Sequence, residues 1–191
     1  NEYQREHYLQ QRARREERER KRAERHGHWA AVLPGIESGN AGLDHYRNLS
    51  LAYRKKYSDI EGETPQARIR DLMGGRDDDA ARAITGIEAT LQRGDVPLAA
   101  DVLKGDRERE FRTQQDVWIE TQWLLAAELA ARRDAAAPQN WSVELASSLV
   151  AILLTAHHDE SVEWYDMLVL ERPDLVADVL RPYAEHRLLV W

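Results

Sequence analysis

Apolar residues recur at helical spacing along most of the chain, and no stretch alternates apolar and polar residues long enough to predict a strand. The pattern therefore predicts an all-α protein. Neighbouring helices are short and have wide apolar faces, so we expect antiparallel pairs stacked in a right-handed, HEAT/armadillo-like arrangement. The predicted helices cover residues 1–33, 40–56, 65–73, 77–91, 97–103, 113–133, 143–156, 162–171 and the stretch from 173 onward, which we expect to bend near Pro182.

Capping residues and breakers set the predicted boundaries. Thr64 followed by Pro65 is a typical helix start, and Gly74-Gly75 is a typical stop. Pro34 and Gly35 are expected to end or kink the first helix. Further N-caps are predicted at Asp95, Ser142 and Ser161.

The first helix differs from the others because its stretch RARREERERKRAER, residues 12–25, is charged except for Ala13 and Ala23. Glu16 with Arg20, and Glu17 with Lys21, are i,i+4 pairs that support an isolated helix. We therefore divide the chain into a connector helix, residues 1–36, and a helical repeat-like domain, residues 37–191. Only the two ends of the connector carry side chains suited to docking, namely Tyr3, Tyr8 and Leu9 at one end and Trp29, Val32 and Leu33 at the other.

Two short segments echo each other 77 positions apart. PLAADVL at 97–103 returns as PDLVADVL at 173–180, and the offset equals two units of about 38 residues, near the HEAT and armadillo period. In this interpretation each proline starts a helix and Leu98 and Leu175 begin a buried stripe, whereas Asp101 and Asp178 face outward. Chance similarity between two helices rich in common residues is the alternative.

The composition narrows the choice of chemistry. Hydrophobic residues make up 42% and charged residues 32% of the 191 positions, and there is no cysteine. Disulfides, thiolate metal sites and cysteine nucleophiles are therefore excluded, and a reducing, cytoplasmic location is expected. The longest nearly apolar run, 145–156, is too short to span a bilayer and predicts a buried helix. The chain opens on Asn1 without a signal-peptide pattern, and we expect it to be part of a longer polypeptide or a processed chain.

Several tempting groups are better explained without a metal. The run His157-His158-Asp159-Glu160 consists of adjacent residues, which point apart on a helix and do not converge on an ion. The acidic run 77–79 lacks the spaced ligands of a calcium loop and suits a helix start, where the dipole favours acids. His26 and His28 are expected on the surface. No metal, cofactor or catalytic residue is predicted.

Nuclease and nucleotide-binding patterns are equally weak. An Arg with a His four to six residues later is required by HEPN-type helical ribonucleases, and Arg181 with His186 fits that spacing. Arg20 with His26 and Arg22 with His28 fit it too, and residues this frequent produce such hits by chance. No phosphate-binding glycine loop or nucleophile elbow occurs. A small HEPN-type nuclease stays open as an alternative.

The basic character of the first helix raises a nucleic-acid alternative. The first 26 residues hold nine Lys/Arg and six Asp/Glu in a chain of net charge −7. Because glutamates are interleaved throughout, a solvated helix or a protein contact is favoured over phosphate binding. The candidate partner-binding residues are Tyr3, Tyr8, Leu9, Arg12, Arg15 and Arg22, of which the arginines would serve a nucleic-acid-binding adaptor.

A family resemblance connects several of these stretches. GETPQARIRDLMGG, AARAITGIEATLQRGDVP and VEWYDMLVLERPDLVADVLRPYAEHRL, with the Arg/Glu-rich helix that ends in HWAAVLPGIESG, resemble the helical region of large bacterial NACHT-type NTPases. The resemblance implies a repeat-like module attached to a signal-transduction NTPase, many of which act in antiviral defence. The expected function is a non-enzymatic scaffold or sensor that contacts a protein partner or neighbouring domains of the same polypeptide, without a membrane.

Overall fold

The computed structural model describes the backbone of residues 2–108, 114–156 and 162–189, and the side chains of these residues except 2–3, 107–108, 114–121 and 186–189. Within these ranges the chain forms helices and no strand, which confirms the all-α prediction. The helices are α1 (Glu2–Ser38), α2 (Leu43–Tyr53), α3 (Pro65–Leu72), α4 (Asp77–Ala89), which continues as a 3-10 turn (Thr90–Gln92), α5 (Ala99–Glu108), α6 (Gln114–Arg133), α7 (Ala137–Asn140), α8 (Val143–Thr155), α9 (Glu163–Glu171) and α10 (Pro173–Leu189).

The chain divides into two compact units, Asn1–Ala83 and Ile84–Trp191, and the division falls inside α4. Unit 1 holds α1, α2, α3 and the first turns of α4. Unit 2 holds the remaining helices. The sequence predicts a different division, into a connector helix at residues 1–36 and a repeat-like domain at residues 37–191. That division stays a prediction.

Unit 1 is built where α2 and α3 pack against each other. Their shared core contains Tyr46, Leu49 and Ile69, all fully buried. Thr64 accepts a hydrogen bond from the backbone N–H of Ala67, so the predicted cap of α3 is confirmed. The core of unit 1 is therefore assembled from two short helices whose ends the sequence marks clearly.

Pro34, which is predicted to end or kink the first helix, lies inside α1 and does not end it, so the prediction of a helix end at this proline is wrong. The helix continues to Ser38 and is closed by Gly39, whose φ is 78°. Leu33 and Ile36 lie on either side of the proline and are almost completely buried. Burial of these two side chains outweighs the hydrogen bond that a proline removes from a helix.

Unit 2 is organised around α8, the apolar helix that the sequence predicts to be buried. Its residues Leu149, Val150 and Ile152 are fully buried, and it contacts α5, α6 and α10. Ser142 accepts a hydrogen bond from the Leu145 N–H, which confirms the predicted cap. The expectation of a buried core helix is confirmed.

The two helices that carry the repeated ADVL segment, α5 and α10, both pack on α8 and contact each other. Asp101 and Asp178 are exposed, as predicted. The prediction that Leu98 begins a buried stripe is wrong, because Leu98 is 58% exposed and α5 begins after it, at Ala99. The turn before α5 holds Leu98 outside the helix, so only the later residues of the segment reach the core.

Two smaller predictions also need correction. Asp95 does not cap α5, since that helix begins four residues later, at Ala99. The stretch between the predicted helices 113–133 and 143–156, for which no helix is predicted, contains the one-turn helix α7. Helix α9 begins at Glu163 with Val162 at its N-cap position and no side-chain cap, whereas the predicted cap, Ser161, lies outside the described residues.

Candidate interaction surface on helix α1

The C-terminal part of α1 is anchored to the rest of unit 1 by apolar side chains. Trp29 and Leu33 are 3% and 2% exposed, and Ile36 is fully buried. The Trp29 ring meets the His45 ring of α2 edge to face, with 5.8 Å between centroids. These contacts hold the last three turns of α1 against the core, as the sequence predicts for Trp29 and Leu33.

An ionic cluster extends this anchoring two turns further toward the N-terminus, centred on Asp71 of α3. The Asp71 carboxylate is almost fully buried, with its side chain 8% exposed. Its Oδ1 accepts a hydrogen bond from Arg22 Nη2 at 3.1 Å, and its Oδ2 accepts one from the Glu61 N–H at 3.0 Å. Arg25 Nη2 lies 3.9 Å from the same Oδ2. One carboxylate therefore ties α1 to α3 and to the loop that precedes α3.

A second set of charges joins α1 to the start of α4. His26 Nδ1 lies 3.4 Å from Asp79 Oδ2, and Arg76 Nη1 lies 3.3 Å from His26 Nε2. Near the end of α1, Glu37 receives two hydrogen bonds of 2.8 Å from the Arg82 guanidinium. This guanidinium lowers the pKa of Glu37. His26 is half-buried rather than fully on the surface, whereas His28 is exposed as predicted.

The anchored residues belong to one line along α1 that repeats every four and three residues. Because a helix turns about 100° per residue, steps of four and three return to the same face. We call this line the α1 stripe, and its members are Tyr8, Arg12, Arg15, Glu19, Arg22, His26, Trp29, Leu33 and Ile36.

The two halves of the α1 stripe differ in what covers them. From Arg22 onward every member contacts α2, α3, α4 or the unit 1 core. Arg22 is half-exposed, and the members after it are half-buried or buried. From Tyr8 to Glu19 every member is exposed, and the Tyr8 side chain is 65% accessible. The second half of the stripe is therefore covered by this chain, and the first half faces solvent.

The uncovered half offers arginines with little intramolecular engagement. Arg12 pairs with Glu16 one turn later, at 2.8 Å, with both side chains more than 60% exposed. Arg15 makes no hydrogen bond or ion pair with any residue that the structure describes. Exposed pairs of this kind contribute little to stability, so these guanidinium groups are free to bind another surface.

The opposite face of α1 satisfies its own charges. Arg20 donates hydrogen bonds to Glu17 and to Glu24, and Lys21 Nζ lies 3.7 Å from Glu17. The hydrogen bond from Arg20 lowers the pKa of Glu17. The predicted Glu17–Lys21 pair is therefore present, whereas Glu16 pairs with Arg12 instead of Arg20.

The structure brings four of the six predicted partner-binding residues onto one line. Tyr8, Arg12, Arg15 and Arg22 belong to the α1 stripe, but Arg22 is already bound to Asp71. Leu9 is 52% exposed and lies about 100° away from Tyr8 around the helix. The Tyr3 side chain is outside the described residues.

The remaining chemical candidates do not assemble into a site. The acidic run Asp77–Asp79 forms the first turn of α4, as predicted. Arg181 is exposed, and the side chain of His186 lies outside the described residues, as does the whole run 157–160. In the part of the chain that the structure describes, no three His, Asp or Glu side chains are placed to hold a metal ion.

No protein-family model, curated protein or solved structure matches the chain. Among the described helices, none combines the length and the apolar character needed to cross a lipid bilayer.

Sequence reasoning missed Asp71, the residue on which the anchoring depends. An acidic residue in the last turn of a short helix carries no signal of burial by itself. The available signal was the four-three spacing of α1, which continues from Trp29 back through His26 and Arg22 although the residues become polar.

Replacement of Asp71 by asparagine is expected to lower the free energy of unfolding of unit 1 by about 2 kcal/mol, since a buried charged acceptor of hydrogen bonds is lost. Urea unfolding followed by circular dichroism measures this difference. Asp78→Asn is the matched control, because Asp78 is exposed in the first turn of α4. Equal losses in both variants would contradict the anchoring role of Asp71.

Proposed function

We propose that the protein is a non-enzymatic helical scaffold or sensor module whose uncovered half of the α1 stripe binds an acidic protein surface. The division of the stripe into a covered and an uncovered half carries this proposal. Within the chain, the arginine of the covered half binds a carboxylate, that of Asp71, and its histidine lies beside another, that of Asp79. The uncovered half repeats the same spacing with Tyr8, Arg12 and Arg15, so a surface bearing spaced carboxylates is its natural complement.

The residue types support a protein partner. Tyrosine and arginine are enriched among the residues that dominate binding energy at protein interfaces, since they combine a large contact area with directional polar groups. Glu19 lies on the stripe, and Glu16 is paired with Arg12 beside it. A phosphate backbone presents negative charge continuously and would meet these carboxylates, whereas a protein surface can place its carboxylates opposite Arg12 and Arg15 alone, which favours protein over nucleic acid.

A second copy of this chain fits the uncovered half poorly. If two α1 helices paired antiparallel through this region, Arg12 of one copy would face Arg15 of the other. Like charges in register destabilise such pairing. The proposed occupant is therefore a different acidic surface, either a separate protein or a neighbouring domain of the same polypeptide.

The wider setting follows the sequence resemblance. In this proposal the module belongs to a large bacterial NACHT-type NTPase, works in the cytoplasm and serves signal transduction in antiviral defence. The helices stack as antiparallel pairs in a right-handed, HEAT/armadillo-like arrangement. Support comes from α9 and α10, which contact each other and are joined by the single residue Arg172, and from α5 and α10, which share a sequence segment and pack on the same helix.

The experiment compares two adjacent arginines. A labelled helical peptide with glutamates at four-three spacing serves as the acidic probe, and fluorescence anisotropy measures its Kd. Arg15→Glu is expected to weaken binding at least about tenfold, because charge reversal on the stripe repels the probe. Arg14→Glu makes the same charge change about 100° around the helix and is expected to change the Kd less than about twofold.

Two outcomes would contradict the proposal. Equal effects of Arg14→Glu and Arg15→Glu would show that only net charge attracts the probe. Tighter binding of a DNA duplex than of the peptide, with a steep salt dependence and a loss in Arg15→Glu, would assign the uncovered half to nucleic acid.

A further inference from the structure

Unit 2 contains a cavity that is independent of the α1 stripe. Its volume is about 440 Å³, within the range of small-molecule sites. It is lined by the ends of α4 and α6, by α7 and by the first turn of α8. The residues that matter for its chemistry are Glu88, Leu91, Arg133, Asp134 and Trp141.

A buried carboxylate is the distinctive group of this cavity. Only 8% of the Glu88 side chain is exposed, and its Oε2 contacts the guanidinium of Arg133, the sole ionic partner that the described residues provide. Burial raises the pKa of Glu88, and the nearby Arg133 charge lowers it. Arg133 itself is 64% exposed, so it reaches the carboxylate from solvent and can leave without disturbing the core.

The surroundings of Glu88 favour a second cation. Helices α4, with its 3-10 extension, and α6 both end at the cavity, and α8 begins there. The two C-terminal ends carry partial negative charge and the single N-terminal end carries partial positive charge, so the helix ends together contribute negative charge. Asp134 adds a carboxylate. Among the described residues that line the cavity, Arg133 is the single cation.

The aromatic wall fits the same class of ligand. Trp141 lines the cavity, and its ring meets the fully buried ring of Trp164 at 5.7 Å between centroids. Its backbone carbonyl accepts a hydrogen bond of 2.7 Å from Arg172. These two contacts hold Trp141 in place beside the cavity, and an indole ring attracts a cation.

We propose that this cavity binds a small guanidinium compound, with Glu88 as the anchor and the Arg133 side chain as the group that the ligand displaces. The guanidinium of Arg133 already shows which chemistry the carboxylate accepts. A free ligand would form the same charge-assisted contact and would stack on Trp141, while Arg133 turns outward to solvent.

The test uses L-argininamide as the probe and L-citrullinamide, in which an uncharged urea replaces the guanidinium, as the control ligand, with isothermal titration calorimetry as the measurement. The full chain is expected to bind argininamide at least about tenfold more tightly than citrullinamide, because the urea carries no charge to pair with the buried carboxylate. Glu88→Gln is expected to reduce this preference to less than about twofold. Glu163→Gln, an exposed position on α9, is the matched control and should keep the preference.

Arg133→Ala is expected to change the affinity for argininamide in the opposite direction, and it tests the proposal even if Glu88→Gln does not fold. Removal of the competing guanidinium is expected to tighten argininamide binding about tenfold and to increase the rise in Tm that the ligand causes. Equal binding of both ligands by the full chain, an unchanged preference in Glu88→Gln, or weaker binding by Arg133→Ala would each overturn the proposal.

Discussion

Replacement of Gly74 by alanine is expected to destabilise unit 1 by about 3 kcal/mol or more. Gly74 has a φ of 89°, which side chains other than glycine rarely adopt. A Cβ there would lie 2.6 Å from His26 Cβ and 2.7 Å from both the Arg22 carbonyl oxygen and the His26 nitrogen. Two of these three atoms are backbone atoms of α1, so the helix itself would have to move.

A substitution at the neighbouring Gly75 distinguishes the effect of this clash from the effect of backbone strain. Gly75 has a φ of 91°, yet a Cβ there would meet nothing within 4 Å. Gly75→Ala is therefore expected to cost only about 1 kcal/mol, the penalty of the left-handed conformation. Urea unfolding of both variants measures the difference. Losses of equal size would mean that α1 does not pass as close to Gly74 as the structure shows.

Replacement of Arg68 by methionine is expected to lower the free energy of unfolding by about 3 kcal/mol. Arg68 is buried in α3, and its guanidinium donates hydrogen bonds to the carbonyls of Ala52 and Tyr53 at the end of α2. It also donates to the carbonyls of Gly62 and Glu63, at 3.2 and 3.0 Å. Methionine keeps much of the volume but leaves these acceptors without a donor, which is costly away from water.

Arg70→Met is the matched control for Arg68→Met, because the two arginines lie on the same helix. Arg70 is exposed and makes one surface contact, a 3.1 Å ion pair with Asp77. Its replacement is expected to change the free energy of unfolding by less than about 0.5 kcal/mol. Thermal unfolding should therefore show a clear drop in Tm for Arg68→Met and almost none for Arg70→Met; the reverse order would refute the role of Arg68.

The sequence allowed the fold to be predicted where the signal is local. Thr64 with Pro65, and Ser142, mark helix starts because a hydroxyl accepts the first free N–H groups within a few residues. The apolar run of α8 predicted burial since no surface helix of this size tolerates so many aliphatic side chains. These features depend only on neighbouring residues.

Prediction failed where distant residues decide the outcome. Pro34 stays inside α1 because Leu33 and Ile36 are buried by contacts that no local pattern reveals. Arg68 and Asp71 read as ordinary polar residues of a short helix, yet one caps α2 and the other anchors α1. Glu88 is similar, because it lies 45 positions before its partner Arg133 and no local pattern reveals the pair.

The uncovered half of the α1 stripe lies on a continuous helix, which fixes the distance and direction from a bound partner to the core of unit 1. Tyr8 and Arg22 are separated by fourteen residues of continuous helix, which corresponds to about 21 Å along the axis. A partner bound at Tyr8 would therefore be held at a fixed distance from the α2–α3 core of unit 1 and at a fixed angle around the axis of α1. Removing seven residues between Tyr8 and Arg22 would shorten this distance by about 10 Å and nearly keep the angle around the helix axis. Removing five residues would turn the bound partner by about 140° around that axis.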